Sequence, residues 1–303
     1  VVHVDPDLEA IAARLSSAEL RNDDDLDPFD ENSGPFVDLY SVAGLQRVFR
    51  EYGVSQALEA RGLGDHHLKI TRDDPFRHRL EIVLGDGTPV LDMRLHLKET
   101  AIGADVGNSM TVVVVDWLLM QHPRRPFSPE RPRFPGQLHP GTGLGRLVHN
   151  LMILLCRRLG RDGLVTVPER FHLAVLYRRI EYVAANPKDD VGVNAVLDAG
   201  DRAGVDLVTL AWALERGCVF DEDGRPFQYS PHTLIAPVSS RLEKALSAPS
   251  SSWFSALSSL SSHLSGAPAA PQLRVDLEAL QRSLLADPVD GYVFRSPVVA
   301  SSR

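Results

Sequence analysis

Between His78 and Leu97 apolar residues recur with period two, and this pattern commits the middle of the chain to an antiparallel sheet. HRLEIVL (78–84) alternates, Gly85-Asp86-Gly87 reads as a hairpin turn, and PVLDMRLHL (89–97) alternates again. Val90, Asp92, Arg94 and His96 fall on one face of that second strand; Leu91, Met93, Leu95 and Leu97 fall on the other. A glycine-containing loop at 101–109 leads to TVVVVDWLLMQ (111–121), whose β-branched first half predicts a third, more buried strand. The three strands form a meander.

On either side of the meander the period is helical. Leu8, Ile11, Ala12 and Leu15 recur at helix spacing within 7–20, after the start signal Asp5-Pro6. An acidic stretch, Asn22 to Glu31, reads as a solvated linker. A further helical stretch runs from Val42 to Ala60, with a break expected at Gly53. After the meander, five prolines and four arginines in HPRRPFSPERPRFPGQ (122–137) leave no room for a regular element. HPGTGLG (139–145) is then a glycine-spaced turn opening into a helix, striped by Leu144, Leu147, Val148, Leu151, Leu155 and Leu159 and ending near Gly160. A short buried strand (163–168), a helix (171–179) and a strand start (181–184) follow. Beyond Asn186-Pro187, helices are expected over 195–217 and 273–285. A serine-rich segment at 247–267 keeps Trp253, Phe254, Leu257, Leu260 and Leu264 at helical spacing.

Composition excludes several functions. A net charge of −8 argues against non-specific nucleic-acid binding. No segment reaches the roughly 18–20 apolar residues of a membrane span. The first residues, VVHVDPDLEA, show no basic region followed by an apolar run, so a cytoplasmic protein is expected, with Cys156 and Cys218 as reduced thiols. No HExxH motif is present, and no metal is expected. Arginine far outnumbers lysine, which a GC-rich coding sequence explains. Arg124, Arg125, Arg131 and Arg133 cluster on the proline-rich loop.

The chemistry concentrates in 139–183. Glycines let the backbone approach a ligand closely, and free N–H groups with the helix dipole favour an anion at the helix start. PGTGLGRLVHNLMILLCRRLGRDGLVTV (140–167), followed by LAVLYRRIEYV (173–183), resembles the GNAT superfamily of acyl-CoA-dependent N-acetyltransferases. The clear resemblance spans about 45 residues, with a looser architectural likeness over 36–187.

The resemblance implies a mixed α/β (α+β) fold, its mainly antiparallel sheet flanked by helices, with an N-terminal helix and a C-terminal helical extension. It divides the chain into an N-terminal helix and linker (1–35), an acyltransferase domain (36–187) and an extension (188–303). It implies acetyl-CoA or another acyl-CoA as co-substrate and an amine, small molecule or peptide, as acceptor. Gly141, Thr142, Gly143, Leu144, Gly145 and Arg146 would hold the pyrophosphate. Strand N–H groups near Trp117, Leu118 and Leu119 would line the pantetheine arm and the oxyanion. Tyr177 would protonate the departing thiolate, and Asp116 or Glu99 would take the amine proton.

Three positions depart from the family pattern. Pro140 stands where the family has Arg or Gln, Arg170 where it has Asn, and Glu181 where it has Gly. These departures and the long extension keep open a catalytically inactive scaffold of the same fold, in which Trp212, Trp253 and Phe254 would cover the cleft or form a homodimer interface. The arginine-rich loop keeps open an acyltransferase using a longer acyl chain or an acidic carrier's thioester.

Overall fold

The computed structural model describes residues 2–21, 34–74, 77–101, 109–247 and 271–292. The acidic linker, most of the 101–109 loop and the serine-rich segment lie outside the described residues. The chain forms two compact units that interleave along its length. The first comprises Val1–Pro123, Gly141–Thr166 and Ile235–Ala256; the second comprises Arg124–Pro140, Val167–Leu234 and Leu257–Arg303.

The fold is mixed α/β with a mainly antiparallel sheet, as expected. In the first unit the strands are β1 (His66–Asp74), β2 (Arg77–Leu84), β3 (Pro89–Ala101), β4 (Ser109–Met120), β5 (Gly163–Thr166) and β8 (Leu234–Pro237), neighbours in that order. β1 to β4 pair antiparallel and form the meander; β5 joins β4 in parallel. β1 and β8 are additions to the expected set. HHLKITRDD lacks a clear apolar alternation, because β1 is an edge strand. LIAP is too short to carry a period.

Helices α1 (Pro6–Arg14), α2 (Ser17–Leu20), α3 (Val42–Glu51), α4 (Val54–Glu59) and α5 (Gly145–Arg158) complete this unit with α9 (Ser240–Ser247). The helix expected over 7–20 is two helices. Ser16 and Glu19 form a reciprocal capping box, which starts a new helix where the first ends. Gly53, at φ 74°, makes the break between α3 and α4. Along α5, burial extends beyond the leucine stripe to His149, Met152, Ile153 and Cys156. Burial pushes the Cys156 thiol well above its usual range, so it stays protonated in the core.

Asp162 locks β5 in place. Its carboxylate accepts from Thr111 N–H (2.9 Å), Ser239 Oγ (2.7 Å) and Arg241 Nη2 (2.6 Å). Its carbonyl accepts from the N–H groups of Val238 and Ser239. One residue thus ties β4, β5 and the start of α9 together. The following Gly163 has no room for a side chain: a Cβ there would lie 2.6 Å from Leu242 Cδ2 and 2.8 Å from the Ala236 oxygen.

The second unit contains β6 (Val183–Ala184), α6 (Phe171–Arg178), α7 (Asp190–Ala203), α8 (Leu207–Glu215), α10 (Leu277–Ala286) and a small antiparallel pair, β7 (Val219–Phe220) with β9 (Arg274–Val275). The helix expected over 195–217 starts earlier and divides. Gly204 ends α7 in the left-handed region, and Asp206 caps α8 through Thr209 N–H. Phe171, Val196, Leu210, Trp212 and Leu280 share this unit's core. Trp212 is therefore packed inside its own unit. The proline-rich loop is tied down: Trp212 Nε1 donates to the Arg133 carbonyl at 2.7 Å, and Arg133 Nε to the Gln137 carbonyl at 2.7 Å.

Burial raises the Asp162 carboxyl, but the hydrogen bonds from Arg241, Ser239 and Thr111 outweigh it and hold the group below the ordinary carboxylate range. A depressed folded value means that its stabilisation is present above the unfolded value near 4 and is lost as pH falls through the folded one. Asp162→Asn should cost about 1–3 kcal/mol in urea unfolding at neutral pH, with the difference from wild type shrinking in acid. A difference that does not change with pH would contradict this role.

Candidate functional site

Strand β4 has two neighbours of unequal reach. On the β3 side, Leu95 stands opposite Val115 and Arg94 opposite Trp117, so Asp116 is an extra residue, a bulge that bends and twists the strand. On the other side, the parallel ladder with β5 runs only from Val112–Gly163 to Val115–Thr166. The Thr166 hydroxyl donates to the Val115 carbonyl at 3.2 Å and closes that ladder. Two residues further on stands Pro168, which has no N–H to offer a ladder. β4 continues through Asp116–Met120 without β5 beside it. Trp117 is 44% exposed there, and Leu118 and Leu119 are half-buried.

The glycine turn meets the far end of this open stretch. A Cβ on Gly141 would stand 3.9 Å from the Met120 carbonyl oxygen. Thr142 and Leu144 are buried, whereas Gly143, Gly145 and Arg146 are exposed. Thr142 Oγ1 accepts the Leu144 N–H at 3.2 Å, which tightens the turn. Gly143 has φ +76°, a conformation that costs a side-chain-bearing residue about 1–2 kcal/mol. Among the described residues no side chain caps the start of α5. Its first N–H groups and the positive end of its dipole are the anion-favouring feature that the sequence suggested.

A second cationic group borders the turn, and sequence reasoning missed it. Arg61, just past α4, donates from Nε to the Thr142 carbonyl at 2.9 Å and from Nη1 to the Ala57 carbonyl at 2.6 Å. Its Nη2 lies 3.9 Å from where a Cβ on Gly143 would be. Nothing local marks Arg61, because its partner is 81 positions away.

Asp116 and Glu99, the two candidate bases, do not share one place. Asp116 sits at the bulge, and its Oδ2 is 2.7 Å from His96 Nδ1. Trp117, the partner of Arg94 in the ladder, adjoins them. Glu99 is exposed and pairs with Thr111, towards the other end of the ladder from the bulge. Tyr177 belongs to the second unit, on α6, where its ring meets Tyr182 edge-on at 4.9 Å. The alternation of 89–97 had set His96 on the polar face, but the bulge that pairs it with Asp116 has no glycine or proline to announce it.

No protein-family model matches the chain, and no curated protein matches it. Among solved structures it is similar to one described as "The crystal structure of KacTA-DNA complex", at 11% identity and a TM-score of 0.27, covering 77% of this chain and 94% of that one. A likeness of that size carries no argument about fold or function.

Arg61→Ala removes the hydrogen bonds to Thr142 and Ala57, each worth about 1 kcal/mol. Faster amide exchange across 141–147 is expected, read by mass spectrometry against wild type. Unchanged exchange there would mean that Arg61 does not hold the turn.

Proposed function

We propose that the chain is a GNAT-like acyltransferase that moves an acetyl or other acyl group from acyl-CoA to an amine. The observation that carries the reading is the parting of β5 from β4 at the Asp116 bulge, with the glycine turn at the end of the strand thus freed. A freed strand edge offers hydrogen-bonding groups to an extended, amide-containing arm such as pantetheine. The turn and the start of α5 suit a pyrophosphate.

Each group then has a task. Backbone N–H groups around Gly143 and Gly145 donate to the anion, and Arg61 and Arg146 add charge. Pro140 stands where the family has a basic or amide residue, and Arg61 supplies a cation at the turn from another part of the chain. Strand N–H groups between Trp117 and Met120 polarise the thioester carbonyl. The resemblance assigns protonation of the leaving thiolate to Tyr177; the reading itself rests on residues of the first unit.

Calorimetry should detect acetyl-CoA with a dissociation constant at or below roughly 1 mM, the upper range of ordinary substrate affinities. Gly143→Ala should weaken it about fivefold or more, because the left-handed conformation is strained for alanine. Affinity should fall with added salt, and Arg61→Ala should reduce that dependence. No detectable heat with acetyl-CoA at millimolar concentration would overturn the reading.

A further inference from the structure

We propose that His96, oriented by Asp116, is the general base that takes the proton of the acceptor amine. This deepens the acyl-transfer reading above and rests on it. His96 Nδ1 and Asp116 Oδ2 are 2.7 Å apart. A carboxylate can only accept, so the hydrogen of that bond is on Nδ1 and the lone pair of the neutral ring is on Nε2. Among the described residues Nε2 has no hydrogen-bond partner, and the imidazole is 19% exposed against 37% for the Asp116 carboxylate. The nitrogen that holds the lone pair is therefore the one without a protein partner.

Position supports the same assignment. Asp116 is the bulged residue, and it directly follows Val115, the last β4 residue paired with β5. The pair thus stands where the strands part, next to the Trp117–Met120 stretch on which the acyl-transfer reading puts the thioester. Bulges beside active sites commonly re-aim a side chain, and here the extra residue brings a carboxylate to a histidine on the neighbouring strand. Asp116 already holds His96, so it acts as a positioning residue and His96 as the catalytic one. Glu99, at the other end of the ladder, takes no part.

The proton balance closes. An ammonium acceptor gives one proton to His96 Nε2 and becomes the neutral nucleophile. Its lone pair forms the C–N bond to the thioester carbonyl carbon. The C–S bond then breaks, with its electron pair going to sulfur. The proton still carried by the new C–N nitrogen passes to the thiolate, and the imidazolium returns its proton to water. The Asp116 carboxylate stabilises the imidazolium meanwhile.

His96→Asn keeps a donor for Asp116 and removes the base. His96→Gln serves if the first variant folds poorly. Release of CoA thiol from acetyl-CoA is measured with spermidine, an Nα-acetyl-lysine peptide or water as acceptor, alongside calorimetric acetyl-CoA affinity and unfolding midpoint. Expected is a loss of turnover of about 10²- to 10⁴-fold with affinity and midpoint retained. Asp116→Asn should lose less, and adding it to the His96 variant should cause no further loss. Turnover within threefold of wild type in the His96 variant, fully additive losses, or acetyl-CoA binding without any thiol release would each overturn the assignment while leaving the binding reading standing. Absence of acetyl-CoA binding would overturn both.

Discussion

The first unit is built around a strand that cannot satisfy both neighbours along its whole length. β4 keeps β3 from Ser109 to Met120 but shares only Val112–Val115 with β5. A strand edge left open costs hydrogen bonds or needs another partner, so natural sheets cover or blunt such edges. Here the chain holds the two strands together at one end and separates them at the other. Asp162 anchors the closed end, with four hydrogen-bonding groups around one carboxylate. Gly163 allows β8 and α9 to press against it. Thr166 and the bulge at Asp116 define where the separation begins.

Everything assigned to function follows from that separation. It frees the Trp117–Met120 stretch, puts the glycine turn at its far end, and leaves His96 and Asp116 at its near end. Arg61 contributes to the same turn from the end of α4, with a hydrogen bond that orders the loop as well as a charge beside it. An anion at the start of α5 would meet backbone N–H groups, the helix dipole and a guanidinium together.

Strong periodicity was readable from sequence; contacts between distant residues were not. The meander, α5 and the break at Gly53 all carry a local signature that a single pass along the chain detects. The division at Gly204 was missed because apolar residues continue on both sides, and only the left-handed glycine and the Asp206 cap stop the helix. β1 was hidden by its mixed polar edge, and β8 by its length. In the candidate site, the glycine turn was visible because its chemistry is contiguous. Arg61 and the His96–Asp116 pair depend on register and on a bulge, and neither leaves a mark in composition or spacing. The proline-rich loop, where the sequence leaves no room for a regular element, is fixed by Trp212 and Gln137 through backbone carbonyls that no sequence pattern identifies.

In the proposed function one acyl-CoA molecule occupies the freed edge of β4 and the start of α5 at the same time. Amide hydrogen exchange with and without saturating acetyl-CoA tests it directly, because it reports each segment separately. Slower exchange is expected at both 117–120 and 142–147, with the β4–β5 ladder at 112–115 unchanged. Protection confined to other segments, or no change in either, would contradict it.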